Sequence, residues 1–240
     1  MLEIAIYSLQ SARNAINGGA RRLEICASPG EGGLTPAPGL VHTINSQYPN
    51  IPLICMIRIK PGNFVYTREE MDVMLFDLKI LSQNGADGFV FGALTENFQV
   101  HKDFCKEIIS AAAPKRVTFH RAFDQVEDPF NALEDIISLG FERLLTSGQE
   151  NTAMEGVKLL RMLVKTAGDR ITIMPGGGVT QENIFEIMEI SGAHEFHSSA
   201  KIRIEADGVM NKIKLSEDEK FITVANKDYV KRMVEIINRC

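Results

Sequence analysis

The stretch NGGARRLEIC, residues 17–26, closes a helix-compatible segment on glycine and within a few residues becomes a short apolar-alternating strand. The same phrase returns as QNGADGFVFG at 83–92, SLGFERLLTSG at 138–148 and SGAHEFHSS at 191–199. Each glycine sits where a helix C-cap needs a residue that tolerates the left-handed backbone, and the β-branched or aromatic run after it reads as strand. Strand candidates of similar length lie between these four: LEIAIYS (2–8), IPLICMIRI (51–59), RVTFHRAF (116–123) and RITIMPGGG (170–178). Helical spacing fills 11–17, 69–84, 101–113, 128–139, 153–167 and 180–191, and a last helix spans 228–239. Thr67, Asp128 and Thr180 are suitable N-caps. Eight such units in a chain of 240 residues predict a single-domain (β/α)8 TIM barrel. An open doubly wound sheet would need a reversal of strand order and an early GxGxxG turn, and neither is present. The polar stretch 201–226 is expected to be a long loop at the barrel mouth before the last helix.

Composition narrows the function classes. The formal net charge is −5 and no basic run of five residues occurs, so nothing attracts nucleic acid or an anionic membrane surface. No apolar stretch approaches the ~20 residues of a membrane helix, and MLEIAIYSLQ enters a strand directly without the pattern of a signal peptide. The expectation is no nucleic-acid partner and no membrane. Cys26, Cys55, Cys105 and Cys240 are scattered without a CxxC pair, which fits a reducing cytoplasm.

In a (β/α)8 barrel one parity of each strand packs under the helices and the other faces the barrel interior. Ile4 and Ile6, Leu23 and Ile25, Cys55 and Ile57, Val117 and Phe119, Ile171 and Ile173, and Phe196 make the outer set. That sends Glu3, Glu24, Cys26, Arg58, Thr118, His120, Glu195 and His197 inward. A set this polar must be paired, wet or occupied by a ligand, because a buried unpaired charge costs several kcal/mol. It fits either a ligand pocket at the strand ends or an ion network that fills the barrel. Glu24, Arg58, His120 and His197 are the candidate catalytic residues. The histidines supply acid/base groups near neutral pH, with Glu24 or Glu195 to orient them, and Arg58 supplies a positive charge for an anion. The glycines of MPGGGVT, namely Gly176, Gly177 and Gly178, and the serines of HSSA, Ser198 and Ser199, follow the seventh and eighth strands. Loops at those positions often bind phosphate in this fold, so these five are the candidate anion-binding residues. Cys26 is a candidate soft metal ligand.

The motifs GGARRLEICASPGEGGLTPAPG (18–39), MIRIKPGNFVYT (56–67), GADGFVFGALT (85–95), VTFHRAFD (117–124), LLTSG (144–148), PGGGVT (175–180) and EFHSSA (195–200) resemble, in order, the CutC family of copper homeostasis proteins. The resemblance implies a cytoplasmic (β/α)8 barrel, a homodimer or higher homo-oligomer, and copper as a possible ligand. It implies Cys26 of the LEIC motif as a Cu(I) ligand. The first-strand position where some animal members carry a second cysteine is Ala5 here. MIRIKPGNF also departs from the usual family text MIRPRGGDF. An enzyme acting by acid/base chemistry on a small anionic or phosphorylated metabolite, and a noncatalytic scaffold, are the alternatives.

Overall fold

The computed structural model describes residues 1–205 and 221–239. Strands and helices alternate: β1 (Leu2–Ile6), α1 (Leu9–Asn17), β2 (Arg22–Ile25), α2 (Pro38–Gln47), β3 (Leu53–Met56), α3 (Arg68–Gln83), β4 (Gly88–Phe91) and α4 (Lys102–Ala112). The second half continues with β5 (Arg116–Phe119), α5 (Pro129–Leu139), β6 (Arg143–Thr146), α6 (Val157–Ala167), β7 (Thr172–Pro175), α7 (Ile184–Ser191) and β8 (Phe196–Ser198). A short ribbon of β9 (Lys201–Glu205) and β10 (Phe221–Ala225) precedes α8 (Lys227–Arg239).

Neighbouring strands pair in parallel from β1 through β7, and β8 returns to pair with β1, so the sheet rolls into a TIM barrel. The ladder is open only between β7 and β8. Ser198 Oγ spans that seam by donating to the carbonyl of Val179 at 2.6 Å. Helix starts follow local chemistry. Thr67 and Glu70 form a reciprocal capping box on α3, and Asp128 accepts from the N–H groups of Phe130 and Asn131 ahead of Pro129 on α5.

The expected strand parity holds. Ile4, Ile6, Leu23, Ile25, Cys55, Ile57, Val117, Phe119 and Phe196 are buried in one cluster with helix residues such as Ala12, Val41 and Ile44. Cys26, Ile54, Met56 and Val90 form a separate, smaller cluster inside the barrel, with Tyr7 against it. Below the mouth, Arg22 bridges Glu3 (2.5 Å) and Glu195 (2.7 Å), and Arg143 also reaches Glu195 (2.7 Å). The ion network and the pocket therefore coexist, one beneath the other.

Three expectations need correction. Residues 38–47 form a helix that the sequence pattern did not announce, because only Val41 and Ile44 are buried and the stripe is too sparse to show a period. The strand read as 116–123 stops at Phe119, and Arg121–Gln125 turns as a 3-10 helix capped by His120. The stretch 201–226, expected to be irregular, begins and ends with the antiparallel pair β9 and β10. Residues 206–220 of that loop lie outside the described residues.

Candidate functional site

A cavity of about 580 Å³ opens at the C-terminal ends of the strands. Glu24, Arg58, His120, His197, Gly177, Gly178, Ser198 and Ser199, all expected from the sequence, line it. Gly176 does not line it: its N–H is spent on the carbonyl of Thr146, and a Cβ there would strike Leu145 at 2.4 Å. Cys26 also lies outside the lining, packed with Ile54, Met56 and Val90.

One wall comes from β1, β2 and β8. Register places Glu3 opposite His197 and Ala5 opposite Glu24. Glu3 Oε1 is 2.8 Å from His197 Nδ1, and His197 Nε2 is 3.6 Å from Glu24 Oε2. Glu3, not Glu24 or Glu195, orients this ring, because Glu195 is held by Arg22 and Arg143. Burial opposes ionisation of Glu3, but the hydrogen bond from His197 and the charge of Arg22 hold its pKa at about 2. Burial also opposes charge on His197, yet the charge of Glu24 and the hydrogen bond to Glu3 win, and its pKa is raised. Burial raises the pKa of Glu24. Its Oε1 is buried with no hydrogen-bond partner among the described residues.

The opposite wall comes from β5. His120 Nδ1 accepts from the backbone N–H of Ala122 at 3.2 Å, which leaves the ring proton on Nε2. Nε2 is buried and has no partner among the described residues. Burial first, and then the charge of Arg58, push the His120 pKa down to about 3, so this imidazole is neutral at pH 7. Gly92 makes room for it, since a Cβ there would stand 2.6 Å from Nδ1. The Phe64 ring tilts against His120 at 4.8 Å, and the Arg58 guanidinium lies over the same Phe64 ring at 4.7 Å. Both Nη atoms of Arg58 are engaged with loop carbonyls, those of Glu31 and Gly33 on one and of Gly62 on the other.

The third side is the glycine loop after β7. Gly177 and Gly178 have φ of +93° and +69°, and their N–H groups and that of Ser199 meet no acceptor among the described residues. Arg121, which was not among the site residues expected from the sequence, borders this loop and lines the cavity because the chain turns after Phe119. Its Nε donates to Asp124 (2.6 Å) and Nη2 to Ser147 Oγ (2.9 Å). A Cβ on Gly177 would stand 3.1 Å from its Nη1, so only a small residue lets that cation lie against the loop.

Glu3, Glu24 and His197 can each bring one ligand atom within 4.8 Å of the others. Both oxygens of Glu3 are already used, one by Arg22 and one by His197, so the group is an ion-pair array rather than an open ligand set.

The CutC family model matches residues 1–202 of this chain. The chain belongs to the CutC family. It is 46% identical over 201 residues to the human copper homeostasis protein cutC homolog, covering 84% of this chain and 73% of that one. Against the Caenorhabditis elegans homolog it is 42% identical over 218 residues, 91% of this chain and 87% of the relative. The crystal structure of CutC from Streptococcus agalactiae superposes with a TM-score of 0.79 at 30% identity, covering 83% of this chain and 98% of that chain.

The CutC name directs attention to copper, and Cys26 tests the fit. Its thiol is 1% exposed and donates to Glu24 Oε2 at 3.3 Å. Burial, and then the Glu24 charge, raise its pKa well above the usual thiol value, whereas copper binds the thiolate. Ala5 supplies no second sulfur. Among the described residues, Cys26 and the Ala5 position do not make a two-thiolate Cu(I) site.

Proposed function

We propose that this CutC-family chain serves copper homeostasis in the cytoplasm as an acid/base protein whose strand-end cavity binds a small anionic or phosphorylated metabolite. The single observation that carries this reading is the pairing, across one cavity, of His197, flanked by two carboxylates that raise its pKa, with His120, whose pKa burial and Arg58 lower. Two histidines tuned in opposite directions place a neutral hydrogen-bond donor, His120 Nε2–H, on one wall and a proton-holding imidazole beside two carboxylates on the other. The anion would lie against the N–H groups of Gly177, Gly178 and Ser199 and Nη1 of Arg121, which has no hydrogen bond among the described residues, with Arg58 adding positive potential from the far wall. Cys26, Cys55 and Cys105 are free and buried, which fits a reducing compartment. Assembly into a homodimer or higher homo-oligomer belongs to the same proposal.

Calorimetric titration with inorganic phosphate tests the reading, with metal analysis and native mass spectrometry on the same preparation. Saturable binding that weakens at least ~10-fold in Arg121→Gln is the expected result, since one charge-assisted hydrogen bond is lost. Absence of phosphate binding, together with a stoichiometric copper ion that disappears in Cys26→Ser, would overturn it.

A further inference from the structure

Buried polar atoms in a native protein are almost always satisfied, so an orphan beside a cavity marks where a ligand atom belongs. Among the described residues, Glu24, Arg58, His120 and Gln181 each bring such an atom to the residues lining this cavity, and those of Glu24 and His120, one on β2 and one just after β5, are complementary. His120 Nε2 carries a proton and lacks an acceptor, while Glu24 Oε1 is an acceptor that lacks a donor, and both side chains belong to residues only 3% exposed. A donor needs a ligand oxygen, and the Glu24 carboxylate, held through Oε2 by the Cys26 thiol, leaves Oε1 open to take a proton. The His120 tautomer is fixed by a backbone N–H, so this ring donates through Nε2 and cannot exchange roles without losing that bond. The third requirement, an anion, is set by the glycine loop and Arg121.

We infer that the cavity takes a phosphorylated aldehyde or ketone of the sugar-phosphate class, and that Glu24 removes a proton from the carbon next to its carbonyl while His120 Nε2–H donates to the carbonyl oxygen. This rests on the anion-binding reading above and deepens it. The Glu24 Oε1 forms a bond to hydrogen as the C–H bond breaks. The released electron pair becomes a C=C bond, and the C=O pair moves onto oxygen, giving an enolate. Glu24 then returns the proton to the same carbon or, in a hydroxycarbonyl compound whose hydroxyl proton has passed between the two oxygens, to the neighbouring one. No oxidant, reductant or second substrate enters. A neutral imidazole suits the electrophilic role: a group that only donates a hydrogen bond stabilises the enolate without protonating the base opposite it. His197, hydrogen-bonded to Glu3 and beside Glu24, is a positioning residue that fixes the carboxylate.

The experiment is hydrogen–deuterium exchange in D2O. The purified protein is incubated with dihydroxyacetone phosphate, glyceraldehyde 3-phosphate, ribose 5-phosphate and ribulose 5-phosphate, and loss of the α-proton is followed by NMR. The expected result is enzyme-dependent exchange in at least one of the four. It should fall roughly 100-fold or more in Glu24→Gln and in His120→Asn, while both variants still bind inorganic phosphate, which also shows them folded. Phosphate binding without exchange in any of the four overturns the carbonyl inference and leaves the anion-binding reading standing. Neither binding nor exchange overturns both. Exchange that survives Glu24→Gln removes Glu24 as the base and sinks the inference even if the sugar phosphate binds.

Discussion

The walls of the cavity push the same side chain in opposite directions. On the β5 wall, His120 meets a backbone N–H, an aromatic ring and the Arg58 charge, and its pKa falls to about 3. On the β1/β8 wall, His197 is somewhat more exposed, yet burial still opposes its charge; Glu3 and Glu24 flank it and its pKa rises. Burial disfavours the imidazolium on both sides. The opposite sign comes from the neighbours, and the carboxylate beside His197 comes from strand register, since Glu3 is directly opposite His197 in the β1–β8 ladder. A barrel can therefore build a donor and a charged acid/base array from two histidines by placing carboxylates on adjacent strands for one and withholding them from the other.

Breaking the carboxylate side should have the largest effect. Glu3→Gln leaves Arg22 and His197 without the charge that both address in a buried setting. Removal of one partner from a buried ion pair costs about 3–5 kcal/mol, and retention of the Arg22–Glu195 bond places this case at the low end, near 3 kcal/mol. Denaturant unfolding at pH 7 measures it, and a loss under ~1 kcal/mol would mean that the charge on His197 does not depend on Glu3.

The parity reading made much of this legible in sequence. Ile4 with Ile6 and Leu23 with Ile25 declared the outer face of the first two strands, so Glu24 had to face in, and His120 and His197 followed from Val117, Phe119 and Phe196. What stayed hidden depended on where strands stop and on which inward residues meet. Arg121 has the outward parity if β5 continues and reaches the cavity only because the chain turns after Phe119. Glu3 was legible as inward but not as the partner of His197, because that pairing is a property of the closure between the first and last strands. Arg58 was legible as a buried cation, whereas its carbonyl partners belong to loops with no periodicity to read.

The next effect separates the two histidines by pH. His120 has a folded pKa below its unfolded value of 6.5, so above pH 6.5 it contributes nothing. As pH falls, the unfolded chain takes up the proton and the folded one refuses it until about pH 3, so stability is lost through that window. At ~1.4 kcal/mol per pH unit the loss reaches roughly 3 kcal/mol at pH 4. His197 has the opposite sign: its contribution is complete below pH 6.5 and is lost as pH rises through its raised folded pKa. Stability of His120→Asn between pH 6.5 and 4 should thus decline less steeply than that of the parent chain, by about that 3 kcal/mol. Equal acid slopes in the two proteins would show that His120 already carries a proton in the fold.

The smallest effect asks how much of the His120 state is due to charge rather than burial. Burial is the larger cause and Arg58 the second, so Arg58→Met should raise the His120 pKa without restoring it to 6.5, by about one unit for a single partly screened charge. Ring-proton NMR of His120 across pH 3 to 6 reads the shift directly, and the same titration of His197 is an internal control, since Arg58 does not figure among the charges that move it. The substitution also frees the carbonyls of Glu31, Gly33 and Gly62, and if the loops relax enough to admit water both causes vanish together. A His120 pKa near 6.5 would then identify the Arg58 loop contacts as what keeps this wall dry. A pKa still close to 3 would assign the neutral imidazole to burial alone, and Arg58 to holding the loops.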